Sequence, residues 1–491
     1  MTVEHKFTAF GKNDIRGIYS EDITEELYYY VGKAYVKYVQ ENSGVDTKNI
    51  WITVVMDARL HSPSLTKSLI KGVTHMGANV VNLGLAPTPI GYFSEFSGIP
   101  ENVTNGCSVL GSLIVTASHN PSEYNGLKMT YNRASITENE IKKIKDLTIE
   151  QIACDEVAPR HGIVKNYDII PAYIENISKN FPNIGAGIKV VVDSANATGG
   201  VVAPKLYREL GCEVVELFSE PDGNFPNHHP NPSDEKTLDA IKAKVVEESA
   251  DLGIAFDGDS DRIGVVDSSG DYLTGDKLLL VYALDVVSDL VKRGEKPTVV
   301  SEVKCSQVLY DTIEQNGANA VMCKTGHGYI KDKMKETKAI LAGEMSGHMF
   351  FKDRYYGFDD AVYAGCRIIE IVAKNKRNNS QFRLENLLEP FCKVCTSSEV
   401  RFHCPNELKS QVLSDLKKKI EGGENIFPQK IKGIITLDGL RIVFEDGFAL
   451  IRQSNTEPVF TLRFEAGTQE RCEAYKTAML TALENSLKLY K

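Results

Sequence analysis

One local pattern occurs three times along this chain and constrains its fold more than any other feature. Ile52-Thr53-Val54-Val55-Met56-Asp57 is a buried-strand run ending on an acid; a helical stretch follows, then Gly77-Ala78-Asn79-Val80-Val81. The same grammar returns as Val190-Val191-Val192-Asp193 with Gly211-Cys212-Glu213-Val214-Val215, and as Thr298-Val299-Val300-Ser301-Glu302 with Gly317-Ala318-Asn319-Ala320-Val321. Each copy reads as strand, helix, glycine stop and second strand, a βαβ crossover that pairs its strands in parallel. Continuously apolar strands fit a sheet covered by helices on both faces. The acid-to-glycine spacings, 57 to 77, 193 to 211 and 302 to 317, are 20, 18 and 15 residues, as a helix of shared length explains. Any α/β protein repeats this grammar to a degree, but the shared closing Gly-(Ala/Cys)-x-Val/Ala favours a true triplication.

Past about residue 395 the grammar changes. Residues 434–437, 440–444, 448–451 and 460–464 are short apolar runs, broken by Asp-Gly pairs at 438–439 and 446–447. Asp-Gly between apolar runs signals a hairpin, and 469–491 reads as one helix. The expected fold class is α/β: three related α/β domains with mixed sheets plus a C-terminal α+β domain. A chain of 491 residues accommodates three or four domains at roughly 150 residues each. The expected divisions are 1–165, 166–272, 273–390 and 391–491.

The balance of 56 Lys+Arg against 66 Asp+Glu, a net charge of −10, argues against a surface made for nucleic acid. No apolar stretch approaches the roughly 18 residues of a spanning helix, and residues 1–14 lack a signal-peptide core. Ten scattered cysteines suit a reducing compartment, so the expected address is cytoplasmic, with no membrane partner. Cys392 and Cys395 form a CxxC near Cys404, without the second ligand pair or thioredoxin-like context of a zinc or redox site.

Four polar segments carry chemistry. Residues 113–121, Leu-Ile-Val-Thr-Ala-Ser-His-Asn-Pro, run a buried strand into a polar loop, where open α/β sheets put reactive groups. Ser118 reads either as a nucleophile or as a capping serine in an Asn-Pro turn; Thr116 and Asn120 in place of glycines exclude an esterase elbow. Residues 256–262, Phe-Asp-Gly-Asp-Ser-Asp-Arg, set Asp257, Asp259 and Asp261 at i, i+2 and i+4. On a loop, three such carboxylates converge on one hard cation; the alternative is a solvated acidic turn, whose charges would repel. Arg262 and Ser268 stand where an EF-hand needs Gly and Glu.

Residues 343–348, Gly-Glu-Met-Ser-Gly-His, put the acceptor Glu344 two positions before the hydroxyl of Ser346, suited to vicinal sugar hydroxyls or to an ordinary turn. Residues 452–458, Arg-Gln-Ser-Asn-Thr-Glu-Pro, follow a strand, and Arg452, Ser454, Asn455 and Thr456 suit a phosphate cradle or a polar turn. There is no P-loop, since Ala34 follows Gly32-Lys33, and Gly326-His327-Gly328 lacks the third glycine of a dinucleotide fingerprint. A serine, a divalent cation, a hydroxyl-rich ligand and a phosphate are the parts of phosphoryl transfer on a sugar.

In this order the four segments resemble the four signatures of the α-D-phosphohexomutases, and the resemblance spans essentially the whole chain. It is strongest to the bacterial phosphomannomutase/phosphoglucomutase branch, through Asp14-Ile15-Arg16-Gly17, Val303-Lys304-Cys305, Lys324-Thr325-Gly326-His327-Gly328-Tyr329-Ile330-Lys331 and Gly357-Phe358-Asp359-Asp360. The resemblance implies a heart-shaped molecule of four domains with its active site in a central cleft. It implies that Ser118 is phosphorylated and that Asp257, Asp259 and Asp261 bind one Mg²⁺ together with that serine's phosphate. Arg16 and Arg262 would add positive charge there, and His119 and Lys128 are the candidates for proton transfer. Lys304, His327 and His348 match substrate-binding positions, beside Glu344, Ser346 and the 452–456 loop. Asn13 departs from the aromatic frequent before Asp-Ile-Arg-Gly, and Ser122 and Glu123 from the small residues frequent after Asn-Pro.

The implied reaction interconverts mannose 1-phosphate and mannose 6-phosphate, and the glucose phosphates as well. Phospho-Ser118 gives its phosphoryl group to the free hydroxyl; the hexose 1,6-bisphosphate turns end for end and returns the other phosphate. Glu344 and Ser346, holding the 3- and 4-hydroxyls, leave C2 uncontacted, so dual specificity is expected. A phosphoglucosamine mutase is the alternative within the fold, disfavoured by Met345 where that branch has Gln. A sugar-phosphate hydrolase or binder is the alternative of another class. Hexose phosphates are the expected partners of a monomer or weak dimer.

Overall fold

The computed structural model describes residues 7–454 and 458–490. The chain divides into two compact units, Met1–Thr274 with Ser346–Arg383, and Gly275–Met345 with Leu384–Lys491. The first two repeats lie in the first unit and the third in the second.

All three repeats form the expected crossover. Strands Trp51–Met56, Lys189–Asp193 and Thr298–Glu302 pair in parallel with Asn79–Leu85, Glu213–Leu217 and Asn319–Cys323. Helices Ser62–His75, Ala203–Glu209 and Gln307–Gln315 make the crossings. Gly77, Gly211 and Gly317 all have left-handed backbones, φ +85°, +93° and +87°, so the recurring glycine ends the helix where a Cβ would be strained. The leading strands are buried along their apolar residues, as helices on both faces require.

A further parallel strand lies on the opposite flank of each leading strand: Val109–Val115, Leu252–Phe256 and Leu341–Gly343. This third strand always runs into one of the signatures. Val109–Val115 leads to Ser118, Leu252–Phe256 to the three aspartates, and Leu341–Gly343 to Glu344. The serine, metal and sugar segments are therefore one loop of a triplicated motif. In the first unit the chain returns antiparallel after each loop, as Tyr124–Tyr131 and Ile263–Asp267, which makes the sheets mixed.

The last part of the second unit is an antiparallel sheet in which Gly433–Ile435, Leu440–Val443, Phe448–Gln453 and Val459–Ala466 pair in sequence. The Asp-Gly pairs fall at the turns, and Gln469–Lys488 is the final helix. Three elements add to the sequence reading: strands Cys395–Thr396 and Val400–His403 on the far side of Val459–Ala466, and helix Asn406–Glu421. Arg452 and Gln453 belong to a strand and not to the loop after it. All ten cysteines are free thiols, with Cys392 exposed and Cys395 half-buried.

Candidate active site

The first unit gathers ten of the expected residues. Ser118 sits three residues beyond its strand in the left-handed region, φ +50°, a conformation that costs a side-chain-bearing residue about 1–2 kcal/mol. Its N–H donates to Thr116 Oγ1 at 2.9 Å. Its hydroxyl donates to Asp257 Oδ2 at 2.6 Å and lies 3.2 Å from His119 Nδ1. Gly258 explains how the two loops approach so closely. A Cβ there would lie 2.3 Å from the Ser118 carbonyl oxygen, so only glycine fits between the aspartates.

Asp257, Asp259 and Asp261 are buried and each offers an oxygen within 4.8 Å of the others. Their remaining oxygens are held by the protein. Asp257 Oδ1 accepts the backbone N–H groups of Asp261 and Arg262, both at 3.2 Å. Asp259 Oδ2 accepts from Lys128 Nζ at 2.6 Å and from Thr88 Oγ1 at 2.5 Å, and Lys128 also donates to Asp261 Oδ2. Asp259 Oδ1 is buried and has no hydrogen-bond partner. Asp261 Oδ1 also lacks a hydrogen bond, and three hard oxygen donors held together in this way fit a divalent cation such as Mg²⁺.

The charges follow from the packing. Burial pushes the Asp257 carboxyl well above the usual range, and the neighbouring Asp259 and Asp261 push it further. Burial acts the same way on Asp261, but Lys128, His348 and Arg262 outweigh it and hold that carboxyl well below the usual range. Burial alone would lower Lys128; Asp259 and Asp261 instead hold it as an ammonium, well above its ordinary value. Burial, with the cations Arg262 and Arg16, lowers His119 well below its ordinary value, so its imidazole is neutral.

Arg262 bridges two histidines, Nη1 3.3 Å from His119 Nε2 and Nε 3.3 Å from His348 Nε2, and lies 3.9 Å from Asp257 Oδ2. His348 Nε2 is 3.2 Å from Asp261 Oδ1, and its Nδ1 is 2.9 Å from Ser346 Oγ. Arg16 reaches the serine loop from another strand, donating to Asn120 Oδ1 at 2.7 Å while paired with Asp14.

The second unit holds Lys304, His327, Glu344, Arg452 and Ser454; Asn455 and Thr456 lie outside the described residues. Two acids organise this group. Glu302, the last residue of its strand, accepts from Met345 N at 2.8 Å and from Thr325 Oγ1, and its Oε1 is 3.5 Å from Lys304 Nζ. Asp438 Oδ2 accepts from Thr325 N and from Arg452 Nε, both at 3.1 Å. Glu344 accepts from Gly326 N at 2.7 Å, which ties the sugar loop to the turn before His327. Arg452 is thus an ion-paired strand residue. The Ser454 carbonyl accepts from Lys409 Nζ at 2.9 Å.

No sequence motif points to several of the groups that shape these loops: Thr88 and the buried arginines Arg441 and Arg463; Asp438 stands out only as half of an Asp-Gly turn. Arg441 donates to the carbonyls of Val303 and Cys305, and Arg463 to that of Lys304 at 2.6 Å and to Asp276 Oδ2 at 3.0 Å.

The sequence matches four family profiles, phosphoglucomutase/phosphomannomutase alpha/beta/alpha domain I over residues 8–153, domain II over 171–270, domain III over 274–390, and the C-terminal domain over 399–482. It is 38% identical to a phosphomannomutase/phosphoglucomutase of Pseudomonas aeruginosa, covering 98% of this chain and 97% of that one. It is 37% identical to a phosphoglucomutase of Neisseria gonorrhoeae, covering 97% of each. The crystal structure of a phosphoglucomutase/phosphomannomutase family protein from Burkholderia thailandensis superposes with a TM-score of 0.86 at 34% identity, covering 98% of both chains. No helix among the described residues is long and apolar enough to cross a membrane.

Proposed function

Because the chain belongs to the phosphoglucomutase/phosphomannomutase family, we propose that it interconverts mannose 1-phosphate and mannose 6-phosphate, and the corresponding glucose phosphates, through a phosphoserine at Ser118. The observation that carries this reading is the Ser118 hydroxyl hydrogen-bonded at 2.6 Å to one of three clustered, buried aspartates. In the first half-reaction a free hydroxyl of the hexose phosphate attacks the phosphorus on Ser118. The sugar O–P bond forms as the Oγ–P bond breaks, and the hydroxyl proton passes by relay to Ser118 Oγ. The hexose 1,6-bisphosphate so formed reverses in the site, and the second half-reaction runs the same bonds backwards with its other phosphate.

His119, neutral and 3.2 Å from Ser118 Oγ, is suited to relay the proton. Lys128, protonated between two aspartates, and Arg16 and Arg262 supply fixed positive charge. Asp257, Asp259 and Asp261, with Ser118, would hold one Mg²⁺, which when bound neutralises charge on the transferring group. Lys304, His327, Glu344, Ser346, His348, Arg452 and Ser454, with Asn455 and Thr456, are the proposed substrate-binding groups. The enzyme is proposed to act in the cytoplasm as a monomer or weak dimer.

The test is chemical. Intact-mass analysis of the purified protein should find a fraction carrying one phosphate, located on Ser118 after digestion. Ser118→Ala should lose that mass and all mutase turnover of mannose 1-phosphate, while still binding it. Wild-type turnover in the variant would sink the assignment, and steady release of inorganic phosphate from substrate would favour a hydrolase. Rates on glucosamine 6-phosphate above those on the mannose and glucose phosphates would favour the phosphoglucosamine alternative.

A further inference from the structure

Arg59 lies outside every signature, yet it touches more of the serine loop than any residue named so far. A guanidinium has five N–H donors in a rigid plane, and here each has an acceptor. Nη2 donates to the carbonyls of Ser118 at 2.9 Å and Asn120 at 2.6 Å; Nη1 donates to those of Pro121 at 2.5 Å and Tyr124 at 3.0 Å. Nε donates to Asp57 Oδ2 at 3.1 Å. The side chain is only 1% exposed, and its guanidinium carbon lies 5.4 Å from the centre of the Phe225 ring.

Asp57, the acid that closes the first repeat's leading strand, fixes the direction of this fork. It accepts from Arg59 N at 3.1 Å and Ser62 Oγ at 2.6 Å, and from Ala117 N at 3.4 Å, one residue before the reactive serine. Arginine, acid, serine loop and helix start form one buried network.

We propose that Arg59 is the positioning residue of the reactive serine, a reading that rests on Ser118 being the phosphoryl carrier. A loop that turns four carbonyls toward one point must bend sharply, and Ser118 at φ +50° is part of that bend. The guanidinium holds the bend against its strain and so aims Oγ at Asp257. It also draws the carbonyl oxygens to a positive charge, where otherwise they would lie beside a phosphate dianion. Lysine keeps the charge but has three donors from one point and cannot reproduce the planar fork.

The experiment compares Arg59→Lys and Arg59→Ala with the wild type in mannose 1-phosphate mutase assays. Arg59→Lys should keep KM within about threefold while kcat falls by about 30- to 100-fold, because a displacement on the order of 1 Å at a reacting atom costs about that much. Millimolar guanidinium should restore part of the kcat of Arg59→Ala, at least about fivefold, where ammonium restores none. Wild-type kcat in Arg59→Lys overturns the proposal, as does a folded Arg59→Ala whose loss guanidinium does not relieve. If Arg59→Ala does not fold, the KM-against-kcat split in Arg59→Lys decides, and equal losses in both parameters overturn the proposal. Failure of the underlying reading is recognised separately, by a wild-type enzyme without phosphate on Ser118 and full turnover in Ser118→Ala.

Discussion

The acids of the two units keep different company. In the second unit each organising carboxylate has a cation: Asp276 has Arg463 at 3.0 Å, Asp438 has Arg452 at 3.1 Å, and Glu302 has Lys304 at 3.5 Å. In the first unit three aspartates share Lys128, His348 and the more distant Arg262, and one oxygen each of Asp259 and Asp261 has no hydrogen-bond partner. These second-unit acids are electrostatically paired as they stand, the state expected of a surface that recognises a preformed ligand. The first unit leaves buried carboxylate oxygens without a hydrogen-bond partner, the state expected of a loop that an ion completes during chemistry.

The sharpest way to break this contrast is to remove one of these oxygens. Asp259→Asn deletes a carboxylate oxygen that lacks a hydrogen-bond partner, and kcat/KM should fall by about 10³-fold, the loss of about 4 kcal/mol of transition-state stabilisation. A chelator should abolish wild-type turnover as completely, with Mg²⁺ restoring it. Undiminished turnover in chelator would mean that Lys128 and Arg262 suffice and that the two units do not differ as argued. A smaller effect is expected among the paired groups. Arg452→Gln removes a charge-assisted partner for a phosphate, so KM should rise about tenfold, roughly 1.4 kcal/mol, with kcat within threefold. The rise should be equal for the 1-phosphate and the 6-phosphate, measured in both directions; a rise in one alone would break the idea of a cradle that reads phosphate and not sugar.

The same contrast explains what could be read from the sequence. Ser118 and the three aspartates stand out because their residue types suit the proposed chemistry, and their loops follow strands whose apolar runs are unmistakable. The triplication was legible because a left-handed glycine is required wherever the crossover helix stops. Arg59, Arg441 and Arg463 left no trace, since most of their partners are main-chain carbonyls far away in sequence, which any residue can present. Thr88 is similar, reaching Asp259 across 171 positions. Helix Asn406–Glu421 carries its signal in Val412, Leu416 and Ile420, four residues apart and buried on one face, but it is diluted by the lysines between them. Arg452 and Gln453 read as loop because they are polar, whereas register with Thr461 and Phe460 continues the strand through them.

Glu95 offers the finest test, because it is a buried first-unit acid whose burial the neighbouring Arg133 only partly offsets, and it lies outside the aspartates' loop. Its carboxylate accepts from Thr130 Oγ1 and from Arg133 N at 2.7 Å, and burial, only partly offset by these bonds, pushes it up to about 7. The folded value lies above the ordinary 4.5, so the folded chain binds this proton more tightly than the unfolded chain does. The stability it contributes is therefore fully present below pH 4.5 and lost as pH rises through about 7. Glu95→Gln keeps the shape and removes the titration. Relative to that variant, the wild type should lose on the order of 2 kcal/mol of stability between pH 5 and pH 8, measured by urea unfolding. A difference that stays flat across that range would show an ionised Glu95 at ease in the interior, and the acids of the first unit would then need no missing cation to explain them.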